Sequence, residues 1–103
     1  MIITSRDGVT LPVSGASRTL TDLADVVVTG TATLLRAASA TRVALSGTNT
    51  HASVAIRVGG ATTCATRGQR VAAGAAFETT TQGAVYAASE GADVTASLSE
   101  ETN

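Results

Sequence analysis

Apolar and polar residues alternate with a period of two over short runs cut by glycine, the pattern of half-buried β-strands. In the stretch T-R-V-A-L-S-G-T-N-T-H-A-S-V-A-I-R-V-G-G, residues 41–60, Val43 and Leu45 share one face. Val54, Ile56 and Val58 do the same after the Gly-Thr-Asn-Thr break, with Ser53, Ala55 and Arg57 opposed to them, so a β-hairpin is predicted here. Residues 26–36, V-V-V-T-G-T-A-T-L-L-R, are rich in β-branched side chains, and Gly30 marks a bulge or a turn that splits them. Residues 70–81 give two short strands about Ala73-Gly74. Residues 84–89 follow Gln82-Gly83; residues 92–99 follow Glu90-Gly91 and alternate Val94, Ala96 and Leu98 with Asp93, Thr95, Ser97 and Ser99.

Turn signals at such regular intervals predict an all-β fold, a small β-sandwich or jelly-roll-like barrel of about seven or eight short antiparallel strands. Residues 26–103 form that domain. Residues 1–25 read as an N-terminal arm or hairpin followed by a short helical turn. Asp7-Gly8 is a turn signal between Ile2-Ile3 and Val9-Thr10-Leu11, and Pro12 confines the second run to an edge or end position. In T-L-T-D-L-A-D, residues 19–25, Leu20, Leu23 and Ala24 fall on one side of a helical turn with threonine as its cap. Residues 61–69 are a polar connection without periodicity, and the final E-E-T-N reads as frayed or solvated.

Composition makes the core of this domain thin. The 103 residues hold one core, and the apolar fraction of 44% is inflated by alanine. Leu, Ile, Val and Phe total 22 residues, close to the level of about 20% at which disorder becomes the expectation, but a net charge of −1 opposes that outcome. Subunit contacts are therefore expected to supply part of the stability. Phe77, the only phenylalanine, reads as a central plug in so aromatic-poor a core.

The seven basic residues are arginines spread along the sequence. Without a basic cluster or stacking aromatics, no nucleic-acid partner is expected. A single cysteine, Cys64, excludes an intrachain disulfide and suits reducing cytosol; the first residues lack a signal-peptide pattern, and no segment is apolar over a membrane-spanning length. The expectation is a soluble protein made in the cytoplasm, with no membrane partner.

Candidate chemistry is sparse. His51 is the only histidine, so no multi-histidine site can form within one chain. It reads as a solvated turn residue, the chemical alternative being a ring of histidines about a symmetry axis. Arg67 lies three residues beyond Cys64 and could lower its thiol pKa, but the plainer reading is a small buried filler. Asp22 and Asp25 are the nearest approach to a cation pair and lack the further oxygen ligands of a calcium loop. The other carboxylates, Asp93 included, are dispersed at turns and strand ends as solvated or capping groups, and one Phe and one Tyr do not furnish the walls of a sugar-cleaving groove. The glycines match no phosphate-binding motif. No catalytic, cofactor-binding or metal site is predicted, and no enzyme activity.

Between Ala40 and Glu100, the runs R-V-A-L-S-G-T-N, V-A-I-R-V-G-G, G-Q-R-V-A-A-G-A-A-F-E-T, A-V-Y-A-A-S and V-T-A-S-L-S-E are similar in cadence to small bacteriophage virion proteins of β-sandwich type. The resemblance implies a structural role, capsid decoration (cement) first. The partner it implies is the major capsid protein, the assembly a homotrimer at a symmetry axis of the shell, and the location the capsid surface of the virion. Residues 1–25 would be the contacting arm. A tail, head-fibre or host-surface-recognition module is the alternative. No functional residue is carried over.

Overall fold

A computed structural model describes residues 18–103 and, before them, the backbone of two short strands, β1 (Ile3–Thr4) and β2 (Thr10–Leu11), which pair antiparallel. The Asp7-Gly8 turn and Pro12 lie outside the described residues. From residue 18 onward the fold is all-β. The strands are β3 (Thr19–Asp22), β4 (Val26–Val28), β5 (Thr33–Arg36), β6 (Arg42–Asn49), β7 (Ile56–Gly59), β8 (Gln69–Val71), β9 (Ala76–Thr79), β10 (Val85–Ser89) and β11 (Val94–Thr102). One helical turn, α1 (Cys64–Arg67), interrupts them.

These nine strands form two antiparallel sheets, the sandwich that the alternation predicts. The four-stranded sheet runs β5-β10-β7-β8; the five-stranded sheet runs β3-β11-β6-β9, with β4 also paired to β11. Because β11 is nine residues long, one of its edges holds β4 along Val94–Ala96 and β3 along Ser99–Thr102, while its other edge pairs with β6. Val28, Leu45, Ile56 and Val94 are fully buried between the sheets, and Leu35, Val71, Val85, Ala87, Ala96 and Leu98 complete the cluster.

The predicted hairpin over 41–60 does not form. β6 belongs to the five-stranded sheet and β7 to the four-stranded one, so residues 50–55 cross between layers. Period-two alternation fixes which face is buried but says nothing of the partner strand, and six extended residues can span about 20 Å, ample for layers about 10 Å apart. The split at Gly30 and the turn at Gly74 are likewise layer crossings, β4 to β5 and β8 to β9. Gly74 has φ of 76°, a left-handed conformation that glycine adopts without steric cost.

Three further expectations are corrected. Residues 19–22 are strand rather than helical turn, paired from Thr19↔Thr102 to Asp22↔Ser99, so the sandwich begins before Val26. An isolated helical turn gains little after its nucleation cost, whereas the free edge of β11 offers a ready ladder. The chain end is not frayed: β11 continues to Thr102, and Glu100 is buried. Phe77 is half-buried on edge strand β9 rather than central; its ring packs over Gly47 of β6, where a β-carbon would collide with it and with Leu98.

The unperiodic stretch 61–69 holds α1, which packs on the outer side of β7 and β10. Gly68 closes it, its N–H donating to the Cys64 carbonyl at 2.8 Å. A β-carbon at Gly68 would stand 2.6 Å from that oxygen and 2.9 Å from the Val58 carbonyl, so only glycine fits this approach of two backbones.

Candidate functional site

The buried polar side chains sit at opposite ends of the sandwich. At one end Arg42, 1% exposed, lies among carbonyls and a carboxylate. Its Nε donates to the Thr81 carbonyl at 3.1 Å, its Nη1 to the Ala37 carbonyl at 2.9 Å and to Glu100 Oε2 at 3.3 Å, and its Nη2 to the Gly83 carbonyl. Arg36 reaches the same carboxylate with two bonds, Nε to Oε2 at 3.3 Å and Nη2 to Oε1 at 3.0 Å. The Arg36 hydrogen bonds, opposed by burial and joined by those from Arg42, hold the Glu100 carboxyl below the usual carboxylate range. Gln82 ties the same loops together, its Nε2 donating to the Ala40 and Arg42 carbonyls.

At the other end Asn49, 0% exposed, stands where the chain leaves β6 for the opposite sheet. Its Nδ2 donates to the Val54 and Val71 carbonyls at 2.9 and 3.2 Å, and its Oδ1 accepts the His51 N–H at 3.0 Å. His51 Nδ1 accepts the N–H groups of Ser53 and Val54, both at 3.0 Å. The histidine is thus an acceptor that shapes the layer crossing, with Nδ1 committed to backbone. Sequence parity could have located these groups: Asn49 is in phase with Leu45, and Glu100 with Val94, Ala96 and Leu98, so each falls on an inward face.

The other sequence candidates do not converge. Cys64, the first residue of α1, is buried, and desolvation, partly offset by a backbone hydrogen bond, raises its thiol pKa; the residue is filler, as its plainer reading predicts. Asp22 and Asp25 border one shallow groove with Ser46, Ser97 and Ser99. Among the described residues no group of three or more His, Cys, Asp or Glu could hold a metal, and no helix is long and apolar enough to cross a membrane. Asp93 is exposed just before β11.

The arginines, scattered in sequence, gather in space. Arg57 and Arg70 are directly opposed across β7 and β8, and Glu90 joins them through Nε bonds of 3.0 and 3.1 Å. The bond from Arg70, opposed by desolvation and joined by the attraction of both guanidinium groups and the bond from Arg57, holds Glu90 below the usual carboxylate range.

Two open features remain. Between edge strands β8 and β9 lies a cleft of about 330 Å³ with Val58, Val71, Val85 and Phe77 on its walls and Gln69 and Thr79 among its rim residues. The middle of the five-stranded sheet's outer face carries mostly short side chains: the register lines up Asp22, Ser99, Ser46 and Glu78 in one row and Ser97, Thr48 and Ala76 in the next. The first row sets the Ser99 and Ser46 hydroxyls opposite the Asp22 and Glu78 carboxylates, and no histidine lines either feature. The chain matches no protein-family model, no curated protein and no solved structure.

Proposed function

We propose that the protein is a non-enzymatic structural component of a bacteriophage particle, a capsid decoration protein that binds the major capsid protein on the outer shell and assembles as a homotrimer. The observation that carries this reading is the Ser/Thr/Ala outer face of the five-stranded sheet. Short side chains lose little rotamer entropy when another protein covers them. Three side chains capable of chemistry are committed to the scaffold: Arg42 and Glu100 to a buried ion pair, His51 to the turn. The cadence shared with small virion proteins supplies the particle, and its implied location is the virion surface.

The test is to purify particles from the strain that encodes the chain, quantify the protein by mass spectrometry and locate it by immunogold labelling. The decoration reading expects many copies over the shell, lost when residues 1–18 are deleted although the sandwich still folds. Absence from particles would overturn it. Labelling confined to the tail would favour a tail, head-fibre or host-surface-recognition module, for which the cleft beside Phe77 offers an apolar wall with polar groups at its mouth.

A further inference from the structure

The two outer faces of the sandwich carry opposite charge. On the five-stranded face the inward set Val94, Ala96, Leu98 and Glu100 turns Ser99 and Glu101 outward, and their partners in register turn Asp22, Ser46 and Glu78 outward with them. Asp25 borders the same face. Among the described residues, no basic side chain stands in these rows, although exposed Arg18 immediately precedes β3 at the margin of this face. On the four-stranded face Ile56 and Val71 point inward, so Arg57 and Arg70 project outward, and exposed Arg67 lies on the helical turn packed over that side. Glu90 offsets only part of this positive charge. Arg70 spends only its Nε on Glu90; its side chain is 58% exposed, and its two amino groups make no hydrogen bond among the described residues.

Both faces also expose aliphatic side chains. Leu20 is 70% and Val27 54% exposed at the β3/β4 edge of the acidic face, while Leu34, 46% exposed, pairs with half-buried Tyr86 on the basic face. Two acidic faces or two basic faces would repel each other; an acidic face against a basic one is attracted and can cover apolar groups on both.

We propose that the five-stranded face of one copy docks on the four-stranded face of a second copy, head to tail. Contacts of this kind close into a ring when the rotation between copies permits and extend into a filament when it does not. The inference rests on the self-association contained in the proposed function and names the surfaces responsible.

The experiment is light scattering on the full chain over a wide concentration range, at about 0.01 M and about 1 M salt, between which the screening length falls from about 30 Å to about 3 Å. Wild type should associate at low salt and weaken at high salt. Asp22→Arg with Glu78→Arg, and separately Arg67→Glu with Arg70→Glu, should each give monomers with an unchanged circular dichroism spectrum. Mixing the two variants one to one should restore association, because each retains one native face. If a reversal unfolds the chain, the milder Glu78→Gln and Arg70→Gln should each weaken association in the same direction. A wild-type oligomer indifferent to changes on either face, or sensitive to one face alone, would overturn the head-to-tail assignment while leaving self-association standing. A wild-type monomer throughout would overturn both, and if that monomer still bound particles, the decoration reading would survive without them.

Discussion

At one end of the sandwich Arg42, Arg36 and Glu100 hold the loops around residues 37–42 and 79–83 to the last strand; at the other, Asn49 and His51 shape the crossing from β6 to β7. Both ends satisfy carbonyl and amide groups that the layer crossings leave without ladder partners. They differ in the charge they bury. The arginine end buries the Arg42 and Glu100 charges, with Arg36 44% exposed beside them, and a buried pair that loses one partner is strongly destabilised. The asparagine end uses neutral donors and acceptors, so it pays a smaller desolvation cost and involves no carboxylate titration. Loss of a member should therefore be most damaging at the charged end, which also contributes the depressed Glu100 carboxyl to the acid response.

Arg42→Met should have the largest effect. It removes the Glu100 ion pair and leaves the Thr81, Ala37 and Gly83 carbonyls without this donor, and urea denaturation should report a loss of about 4 kcal/mol. A loss under about 1 kcal/mol would mean that water replaces the guanidinium and that the charged end is not tightly closed. Asn49→Ala comes next, at about 3 kcal/mol, because two buried carbonyls and one N–H lose their partner together. If Asn49→Ala proved more damaging than Arg42→Met, the ranking of the two ends would be reversed.

Glu100→Gln should cost about 2 kcal/mol at neutral pH, less than Arg42→Met because Arg42 keeps its carbonyl acceptors. It should also change the acid limb of stability. The carboxyl pKa is depressed in the fold, so its contribution is fully present above the unfolded carboxylate pKa of about 4.3 and is lost as pH falls through the lower folded value. Wild type should lose stability over that acid range, Glu100→Gln should lose less of it, and Asn49→Ala should keep the wild-type slope. Equal slopes in wild type and Glu100→Gln would place the acid sensitivity elsewhere, with Glu90 the next group to change. His51→Ala should be the mildest, about 1 kcal/mol, since Ser53 is exposed and Val54 only half-buried, so water can take over part of what Nδ1 accepts. A larger loss would show that the layer crossing depends on the imidazole itself.

The all-β class, the strand segments from Val26 to Ser99 and the inward phase of Leu45, Ile56, Val94 and Leu98 were legible in the residue pattern, because side chains alternate faces whatever strand lies alongside. The sequence also marked Cys64 as filler and Gly74 as a turn. Partner choice depends on contacts distant in sequence, so only the tertiary structure decided that β6 and β7 belong to different sheets, that β3 is a strand and that the chain end is buried. The pairing of Glu100 with Arg36 and Arg42 has the same origin, since the arginines lie some sixty positions from their carboxylate and meet it only when β5, β6 and β11 converge. Segregation of acidic and basic side chains onto opposite faces was hidden for that reason too: charge along the chain looks evenly scattered until strand register sorts it into faces.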